Sequence, residues 1–305
     1  MELMLDENSR LGSCTLLSHI GNGSFGYVFK AKDSKIPEEI ALKICKSPCT
    51  DDEKQRFKIE NAILHTLKVH ENIVIPHSEI LGESGYLYYL MELADSNLEQ
   101  YLNANYNLST NQKIELFLTV CRAILYAHKK EIVHRDLWWR NILIKHRDLE
   151  TMPKVTDFGR GKDYNSTFST PDGEKCWGYL YITPPESYFF VDSDSSIQHH
   201  ILSDIYALGI LLYYFFENGP AYSIFLLGSI EEFHKKVKFN PNGELKQRVN
   251  YYNGWLESFD TILLEKLRIN SDIENDKINE VIKLCCEPNY KKRIQSVEQI
   301  IKILE

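Results

Sequence analysis

The first third of the chain alternates between apolar and polar positions with the two-residue period of β-strands. This pattern predicts strands over residues 14–20, 27–31, 39–45, 72–75 and 86–91. Between the third and fourth of these runs, residues 51–67 carry apolar side chains at helical spacing, after an acidic start suited to a helix N-terminus. This part of the chain therefore predicts a β-sheet with one helix.

The pattern changes at about residue 94, after which helical periodicity dominates. The change predicts an α+β protein with a small β-rich N-lobe over residues 14–93 and a larger helical C-lobe over residues 94–305. Residues 1–13 form a loose lead-in. The longest apolar run, residues 205–216, is shorter than the roughly 20 residues of a membrane span, so we expect a buried helix there and no membrane span.

Composition and charge are those of an ordinary globular protein. The 305 residues are 43% hydrophobic and 26% charged, and the formal net charge of -8 argues against nucleic acid as the main partner. The N-terminus lacks the basic start and apolar core of a secretory signal. Seven scattered cysteines without metal-ligand spacing indicate reduced thiols, so we expect a cytoplasmic protein.

A glycine-rich segment, residues 21–26, lies between two predicted strands. A dinucleotide-binding loop would open a helix, but the β-branched and aromatic residues 27–29 resume a strand directly after Gly26. Two interpretations stay open: a plain hairpin turn, or a flap whose backbone N–H groups close over phosphates.

One lysine and one glutamate stand where apolar residues are expected. Lys43 lies inside the strand predicted over residues 39–45, and Glu60 lies among the apolar positions of the predicted helix. A charge that faces a core loses hydration free energy unless a partner of opposite charge compensates it. We therefore predict that Lys43 and Glu60 form an ion pair, with Lys43 as a phosphate ligand after the glycine flap.

The segment over residues 134–141 combines a carboxylate and a carboxamide just before an apolar run. Asp136 can orient a hydroxyl group and accept its proton, and Asn141 offers an amide oxygen to a metal ion. Asp157 supplies a second carboxylate directly before Phe158 and Gly159. With the flap and Lys43, the chain thus offers a phosphate cradle, a cation, a base and metal ligands.

Taken in order, these motifs resemble those of the eukaryotic-type protein kinases across residues 14–304. The matching residues are the flap over 21–28, Ala41-Leu42-Lys43, Glu60, His134-Arg135-Asp136 through Asn141, Asp157-Phe158-Gly159, Pro184-Pro185-Glu186, Asp204 through Gly209, and Arg293. The resemblance implies a bilobal fold with ATP in the cleft, and transfer of the ATP γ-phosphate to a protein hydroxyl group.

The resemblance also implies a role for each matched residue. Lys43 would bind the α- and β-phosphates, Glu60 would hold Lys43, and Asp136 would act as the base. Asn141 and Asp157 would bind Mg²⁺. The residues expected to bind ATP are Ile20, Gly21, Gly23, Gly26, Val28, Ala41, Lys43, Glu60, Met91, Glu92, Ala94 and Leu143.

Other matched residues would be structural. Asp204 would hold the backbone of His134 and Arg135, and Glu186 would form a buried ion pair with Arg293. Residues 217–277 are an elaboration whose aromatic side chains either fill a core or bind a partner.

Two positions of the loop over residues 134–141 bear on the acceptor. Serine/threonine kinases commonly carry lysine two residues after the base, where this chain has Trp138. Tyrosine kinases commonly carry arginine four residues after the base, where this chain has Arg140, which is therefore a candidate catalytic residue with Asp136 and Lys43. We expect a serine or threonine acceptor, with tyrosine or dual specificity as the alternative.

Three classes of function stay open: an active protein kinase, a pseudokinase that binds nucleotide as a scaffold, and a small-molecule phosphotransferase. The matched groups favour the first, whose partner is a protein substrate, and Trp138 keeps the second open. In an active kinase, phosphorylation would raise activity through Arg135. The candidate phosphorylation sites are Ser166, Thr167, Ser169 and Thr170, and no oligomeric state is indicated.

Overall fold

A computed structural model of the chain describes residues 5–22, 26–45, 49–148, 150–165, 182–189, 196–217, 221–238, 240, 244–259, 269 and 276–305. The chain groups into two compact units. The first unit comprises residues 1–103 and 140–170, and the second comprises residues 104–139 and 171–305. The domain bounds expected from the sequence remain a prediction: a lead-in over residues 1–13 and two lobes over residues 14–93 and 94–305.

The described residues form strands and helices that confirm the predicted α+β class. In chain order, the strands are β1 Arg10–Leu11, β2 Cys14–Asn22, β3 Gly26–Asp33, β4 Ile36–Cys45, β5 Leu81–Glu83, β6 Tyr86–Glu92, β7 Ser96–Asn97, β8 Ile132–Val133, β9 Ile142–Arg147, β10 Glu150–Val155 and β11 Lys162–Asp163. The α-helices are α1 Asp51–Leu67, α2 Leu98–Ala104, α3 Thr110–Lys129, α4 Ile197–Glu217, α5 Ala221–Val237, α6 Leu245–Ser258, α7 Asp276–Cys285 and α8 Val297–Leu304. Short 3-10 turns cover Trp139–Asn141, Phe158–Arg160 and Pro185–Tyr188.

The first unit is built on an antiparallel sheet with the strand order β1-β2-β3-β4-β6-β5. Four of the predicted strands are confirmed as β2, β3, β4 and β6. Because side chains alternate between the two faces of a strand, one face of this sheet carries a continuous apolar cluster. The cluster consists of Leu11, Cys14, Leu16, Phe29, Ala31, Ile40, Leu42, Ile44, Tyr88 and Leu90.

Residues 72–75 do not form the predicted strand. Ile73 makes only an isolated bridge, with Val155. The backbone N–H groups of the run donate to separate partners: Ile73 to His70 O, Val74 to Val155 O, and Ile75 to the Glu92 carboxylate. The β-branched side chains are typical of a strand, but a strand also requires one continuous partner for its backbone.

Helix α1 begins at a capping box, in which Thr50 and Glu53 exchange side-chain-to-backbone hydrogen bonds. The helix buries Phe57, Glu60 and Leu64 on one side. A second, smaller sheet in the same unit has the order β10-β9-β7. Helix α1 and these two sheets position the polar groups of the first unit that are described below.

Helix α4 is the centre of the second unit. It contacts α3 and α7, and α3 contacts α8. The apolar run predicted to be a buried helix lies in α4, and its residues from Ile205 to Phe215 are buried. Among the helices of the described ranges, none has the length and apolar character that crossing a membrane requires.

Two further features of the second unit match the sequence analysis. Glu186 and Arg293 form the predicted ion pair, with both side chains inaccessible and the Arg293 Nη1 to Glu186 Oε1 distance 2.7 Å. In the elaboration over residues 217–277, Tyr252 and Trp255 are buried and their rings pack around Phe189. For these two aromatic residues, the core-filling interpretation is confirmed.

The close contact between α4 and α7 depends on a glycine. A Cβ atom added to Gly209 would lie 2.5 Å from Cys285 Cβ and 2.7 Å from Cys286 Sγ. Both distances are too short for unstrained carbon and sulfur contacts, and a Cβ atom cannot rotate away. The two helices can approach this closely only because residue 209 has no side chain.

We predict that Gly209→Ala lowers the free energy of unfolding by about 1–3 kcal/mol, because the added methyl group overpacks the helix contact. Gly228→Ala in α5 is the matched control, since no heavy atom of the described residues lies within 4 Å of the added Cβ. That control should raise stability by up to about 1 kcal/mol, the helix preference of alanine over glycine. Denaturant unfolding of both variants measures the difference, and a Gly209→Ala protein as stable as the control would contradict the packing argument.

Candidate active site

The strand register of the first unit places several predicted ligands in two rows on one face of the sheet. Val28 of β3 is opposite Lys43 of β4, which is opposite Tyr89 of β6. In the next row, Ala41 is opposite Met91. This face is the reverse of the apolar cluster, because neighbouring residues of a strand point to opposite sides.

The Lys43 ammonium lies between two carboxylates. Its Nζ atom is 2.6 Å from Glu60 Oε1, 2.7 Å from Glu60 Oε2 and 3.2 Å from Asp157 Oδ1. The Lys43 side chain is 4% exposed and that of Glu60 is 1% exposed, so water cannot hydrate the pair. The ion pair predicted from the sequence is thus present, and Asp157 is an additional partner.

Burial and charge act in opposite directions on these groups. Burial alone would lower the pKa of Lys43, but the negative charges of Asp157 and Glu60 raise it above its ordinary value. Burial raises the pKa of Glu60, against the opposing effects of Lys43 and a hydrogen bond from Tyr89. Lys43 therefore stays a cation at neutral pH and can bind an anion such as phosphate.

Tyr89 is a member of this group that the sequence analysis did not identify. Its hydroxyl donates to Glu60 Oε1 over 3.1 Å, and its side chain is fully buried. Tyr89 counts as an apolar residue in the alternating pattern of β6, so the sequence pattern did not indicate that its hydroxyl group has a polar role. The signal that could have revealed it is the cross-strand position opposite Lys43.

The hairpin of β9 and β10 brings Asn141 and Asp157 together. Ile142 at the start of β9 is paired with Val155 at the end of β10. The next residues continue this pairing, since Thr156 N–H donates to Asn141 O over 3.0 Å. Asp157 follows directly, with a left-handed φ of 62° that aspartate tolerates better than most residues. A carboxamide and a carboxylate oxygen are ligands that Mg²⁺ accepts, so these residues fit that ion.

The predicted base, Asp136, lies in the second unit on a loop held by Asp204. The backbone N–H groups of His134 and Arg135 both donate to Asp204, each over 2.8 Å. Arg135 has a left-handed φ of 65°, a conformation that these contacts stabilise. Asp136 itself is 5% exposed, and its N–H donates to His134 Nδ1 over 3.3 Å. The predicted anchoring role of Asp204 is confirmed.

Asp204 is held in its ionised form. Burial alone would raise its pKa, but the hydrogen bond and charge of His128 hold the pKa below its ordinary value. The His128 Nε2 to Asp204 Oδ2 distance is 2.9 Å. An ionised carboxylate is the stronger acceptor for the two backbone N–H groups, so the charge of Asp204 favours the loop conformation.

The two unusual positions of the loop have different surroundings. The exposed Arg140 side chain donates from Nε to Glu99 Oε2 over 2.8 Å. Trp138 is half-buried and its ring centroid is 5.7 Å from that of Trp139. Trp139 is buried and stacks on Tyr214 with a centroid distance of 4.0 Å. Trp138, Trp139 and Tyr214 all belong to the second unit, so the tryptophan pair packs within that unit.

The predicted glycine flap is described in part, with Gly23 outside the described residues. A Cβ atom added to Gly26 would lie 2.6 Å from Ile44 O, so the approach of β3 to β4 requires glycine there. At Gly21, an added Cβ would meet no described heavy atom within 4 Å. The requirement for glycine at position 26 thus comes from the fold, whereas the described neighbours of Gly21 impose no such requirement.

The remaining predicted ATP ligands differ in exposure. Ile20 is 49% exposed, Ala41 and Met91 are buried, and Val28, Ala94 and Leu143 are half-buried. The side chain of Glu92 is buried and binds Lys154 Nζ at 2.7 Å and Lys145 Nζ at 3.0 Å. Its backbone N–H donates to Ile75 O. The sequence analysis named Glu92 only among the residues expected to bind ATP and did not predict this ion-pair network.

The first unit thus combines a buried lysine between two carboxylates with an Asn–Asp pair whose oxygen atoms suit a metal ion. The family model described as protein kinase domain matches residues 14–303, and the chain belongs to this family. The family recognised from the sequence motifs is therefore confirmed.

Serine/threonine-protein kinases from bacteria and mammals are among the relatives. PrkC of Bacillus subtilis is 31% identical over 241 residues, which are 76% of this chain and 35% of that protein. The probable kinase PknB of Lactococcus lactis is 29% identical over 236 residues, 74% of this chain and 36% of that protein. Serine/threonine-protein kinase 33 of Mus musculus is 29% identical over 240 residues, 74% of this chain and 45% of that protein. The chain spans about a third of the length of the two bacterial relatives.

The Glu92 network allows a matched test, because its two lysines differ in exposure. We predict that Lys154→Met lowers the free energy of unfolding by about 3 kcal/mol, since it removes the buried partner of a buried carboxylate. Lys145→Met should cost at most about 1 kcal/mol, because this partly exposed lysine is hydrated in either state. Denaturant unfolding compares the two variants, and equal losses would show that burial does not set the strength of these contacts.

Proposed function

We propose that this chain transfers the γ-phosphate of ATP to a serine or threonine hydroxyl group of a protein substrate. The observation that carries the proposal is the buried Lys43 ammonium between Glu60 and Asp157 in a domain of the protein kinase family. The relatives described above are serine/threonine-protein kinases, and this similarity supports the acceptor class.

In this proposal Lys43 binds the α- and β-phosphates of ATP, and Glu60 fixes the direction of the Lys43 side chain. The short contacts to both Glu60 oxygens support this role, because they restrict a side chain that is otherwise flexible. Gly21, Gly23 and Gly26 contribute backbone N–H groups to the phosphates. The adenine ring is lined by Ile20, Val28, Ala41, Met91 and Leu143, with backbone groups of Glu92 and Ala94 at its edge.

Asn141 and Asp157 are the proposed ligands of Mg²⁺, which would neutralise charge on the phosphates when bound. Two features support the assignment: both side chains carry oxygen atoms that can bind a metal ion, and the two residues lie side by side at the end of the β9–β10 hairpin. Glu60 is not a metal ligand in this proposal, because both of its carboxylate oxygens accept hydrogen bonds from Lys43.

Asp136 is the proposed base. Its carboxylate orients the acceptor hydroxyl and accepts its proton as the oxygen bonds to the γ-phosphorus and the bond to the ADP leaving group breaks. The hydrogen bonds from the backbone N–H groups of His134 and Arg135 to Asp204 support this role, since they hold the loop backbone next to Asp136 in place. Arg140 is a further candidate catalytic residue, and it pairs with Glu99 here.

Regulation and location are further parts of the proposal. Phosphorylation of Ser166, Thr167, Ser169 or Thr170 would act through Arg135; these four residues lie outside the described part of the chain. The six cysteines in the described residues carry free thiols, as a cytoplasmic location requires. The low affinity for nucleic acid expected from the net charge of -8 stays a prediction.

Phosphoamino-acid analysis after incubation of the purified protein with γ-labelled ATP tests the proposal. We expect label on serine or threonine, and at least an approximately 100-fold lower rate for Asp136→Asn, the loss typical of a missing general base. Asp148→Asn is the control, because this exposed residue has a positive φ that asparagine also adopts readily.

The possible results separate the alternatives. Label on tyrosine would contradict the acceptor class and favour the Arg140 argument. Nucleotide binding without any transfer would contradict the proposed activity and favour a scaffold. An equal loss of rate in both aspartate variants would contradict the role of Asp136 as the base.

A further inference from the structure

Tyr89 is a fully buried polar residue that the roles proposed above do not use. It lies on β6 directly opposite Lys43 of β4. Its hydroxyl donates to Glu60 Oε1 over 3.1 Å. The residue therefore contacts the carboxylate that holds the lysine, while the lysine itself is its cross-strand neighbour.

The Glu60 carboxylate receives hydrogen bonds from both strands. Its Oε1 atom accepts from Lys43 Nζ at 2.6 Å as well as from Tyr89, and its Oε2 atom accepts from Lys43 at 2.7 Å. Two donors from different directions fix the plane of a carboxylate better than one flexible ammonium group does. Without the Tyr89 hydroxyl, one acceptor position of a buried charge would lose its partner.

Tyr89 also contacts α1 at a second point. Its ring centroid is 5.2 Å from that of Phe57, which precedes Glu60 by almost one helical turn. The ring thus packs against the helix while the hydroxyl reaches the carboxylate of the same helix. Both contacts set the position of Glu60 relative to β4 and β6.

The chemistry of the hydroxyl suits this position. Lys43 is shared between Glu60 and Asp157. A second cation beside Glu60 would compete with Lys43 for that carboxylate and weaken the Lys43–Glu60 contact. A phenol supplies a donor without adding positive charge. Burial, together with the negative charge of Glu60, raises the pKa of Tyr89 well above its ordinary value, so the donor stays protonated.

We propose that Tyr89 is a positioning residue, which orients Glu60 through its hydroxyl and thereby holds Lys43 in the direction that binds the ATP phosphates. The inference rests on the proposed function for its consequence in ATP binding, whereas its effect on Lys43 is independent of ATP.

Tyr89→Phe tests the proposal because it removes the hydroxyl and keeps the ring that packs on Phe57. Tyr88→Phe is the matched control. Tyr88 is the adjacent buried tyrosine of β6, but it lies in the apolar cluster on the opposite face of the sheet. Both variants lose a single buried hydroxyl, so a general loss of stability should appear in both.

The first measurement follows the Lys43 ammonium by ¹H–¹⁵N NMR of protein labelled on lysine, without nucleotide. We expect a protected signal in the wild type, since burial and the Glu60 contacts slow hydrogen exchange with water. In Tyr89→Phe this exchange should be about fivefold faster or more, as the loss of a charge-assisted hydrogen bond implies, and in Tyr88→Phe it should be unchanged. An unchanged Lys43 signal in Tyr89→Phe would overturn the proposal.

The second measurement is the KM for ATP in the transfer assay. Tyr89→Phe should raise KM by about fivefold, because a misdirected ammonium binds the phosphates less well. A role in folding alone would lower the amount of active protein and leave KM unchanged, so an unchanged KM would also overturn the proposal. If the wild type transfers no phosphate, the proposed function fails, and the Lys43 signal then decides the role of Tyr89.

Discussion

The buried ammonium group of Lys43 is the constraint on which the first unit depends. A cation removed from water loses several kcal/mol of hydration unless carboxylates surround it. Glu60 and Asp157 supply them, one from α1 and the other from the residues after β10. A one-residue shift of β4 against its neighbours would turn Lys43 into the apolar cluster, so the same charge also specifies the strand register.

The second unit uses the same principle to hold a loop. Asp204 and Glu186 are buried carboxylates whose partners lie 70 and 107 residues away in sequence, at His134 and Arg293. Left-handed backbone conformations occur at Arg135 and Asp157, next to or at the predicted catalytic groups. The Arg135 N–H donates to the Asp204 carboxylate, and the Asp157 carboxylate accepts from Lys43. Hydrogen bonds to carboxylates are thus present at both of these less favourable backbone conformations.

The sequence predicted the features that follow from hydrophobic pattern and buried charge. Lys43 and Glu60 could be paired because each interrupts an apolar pattern, and four of the five predicted strands are present. The prediction of a strand over residues 72–75 was wrong, because the pattern of side chains does not show which groups accept hydrogen bonds from the backbone N–H groups. Tyr89 and the Glu92 network were missed because they depend on which strands are neighbours. In a strand that alternates between apolar and polar residues, a tyrosine is counted as apolar. Lys145 and Lys154 both reach Glu92 only when β9 and β10 are paired.

The charge balance of the buried cluster bears on how phosphate is bound. When Glu60 and Asp157 are both ionised, their two negative charges outnumber the single positive charge of Lys43, which opposes the attraction of Lys43 for a polyphosphate. Trp138 adds no cation at the loop position where related kinases carry lysine, and the Arg140 side chain pairs with Glu99. Under the proposed function, a divalent cation bound by Asp157 and Asn141 would reverse the sign of this charge and favour phosphate binding. In that case Lys43 would determine where the phosphates lie, and the bound metal ion would determine the sign of the electrostatic potential.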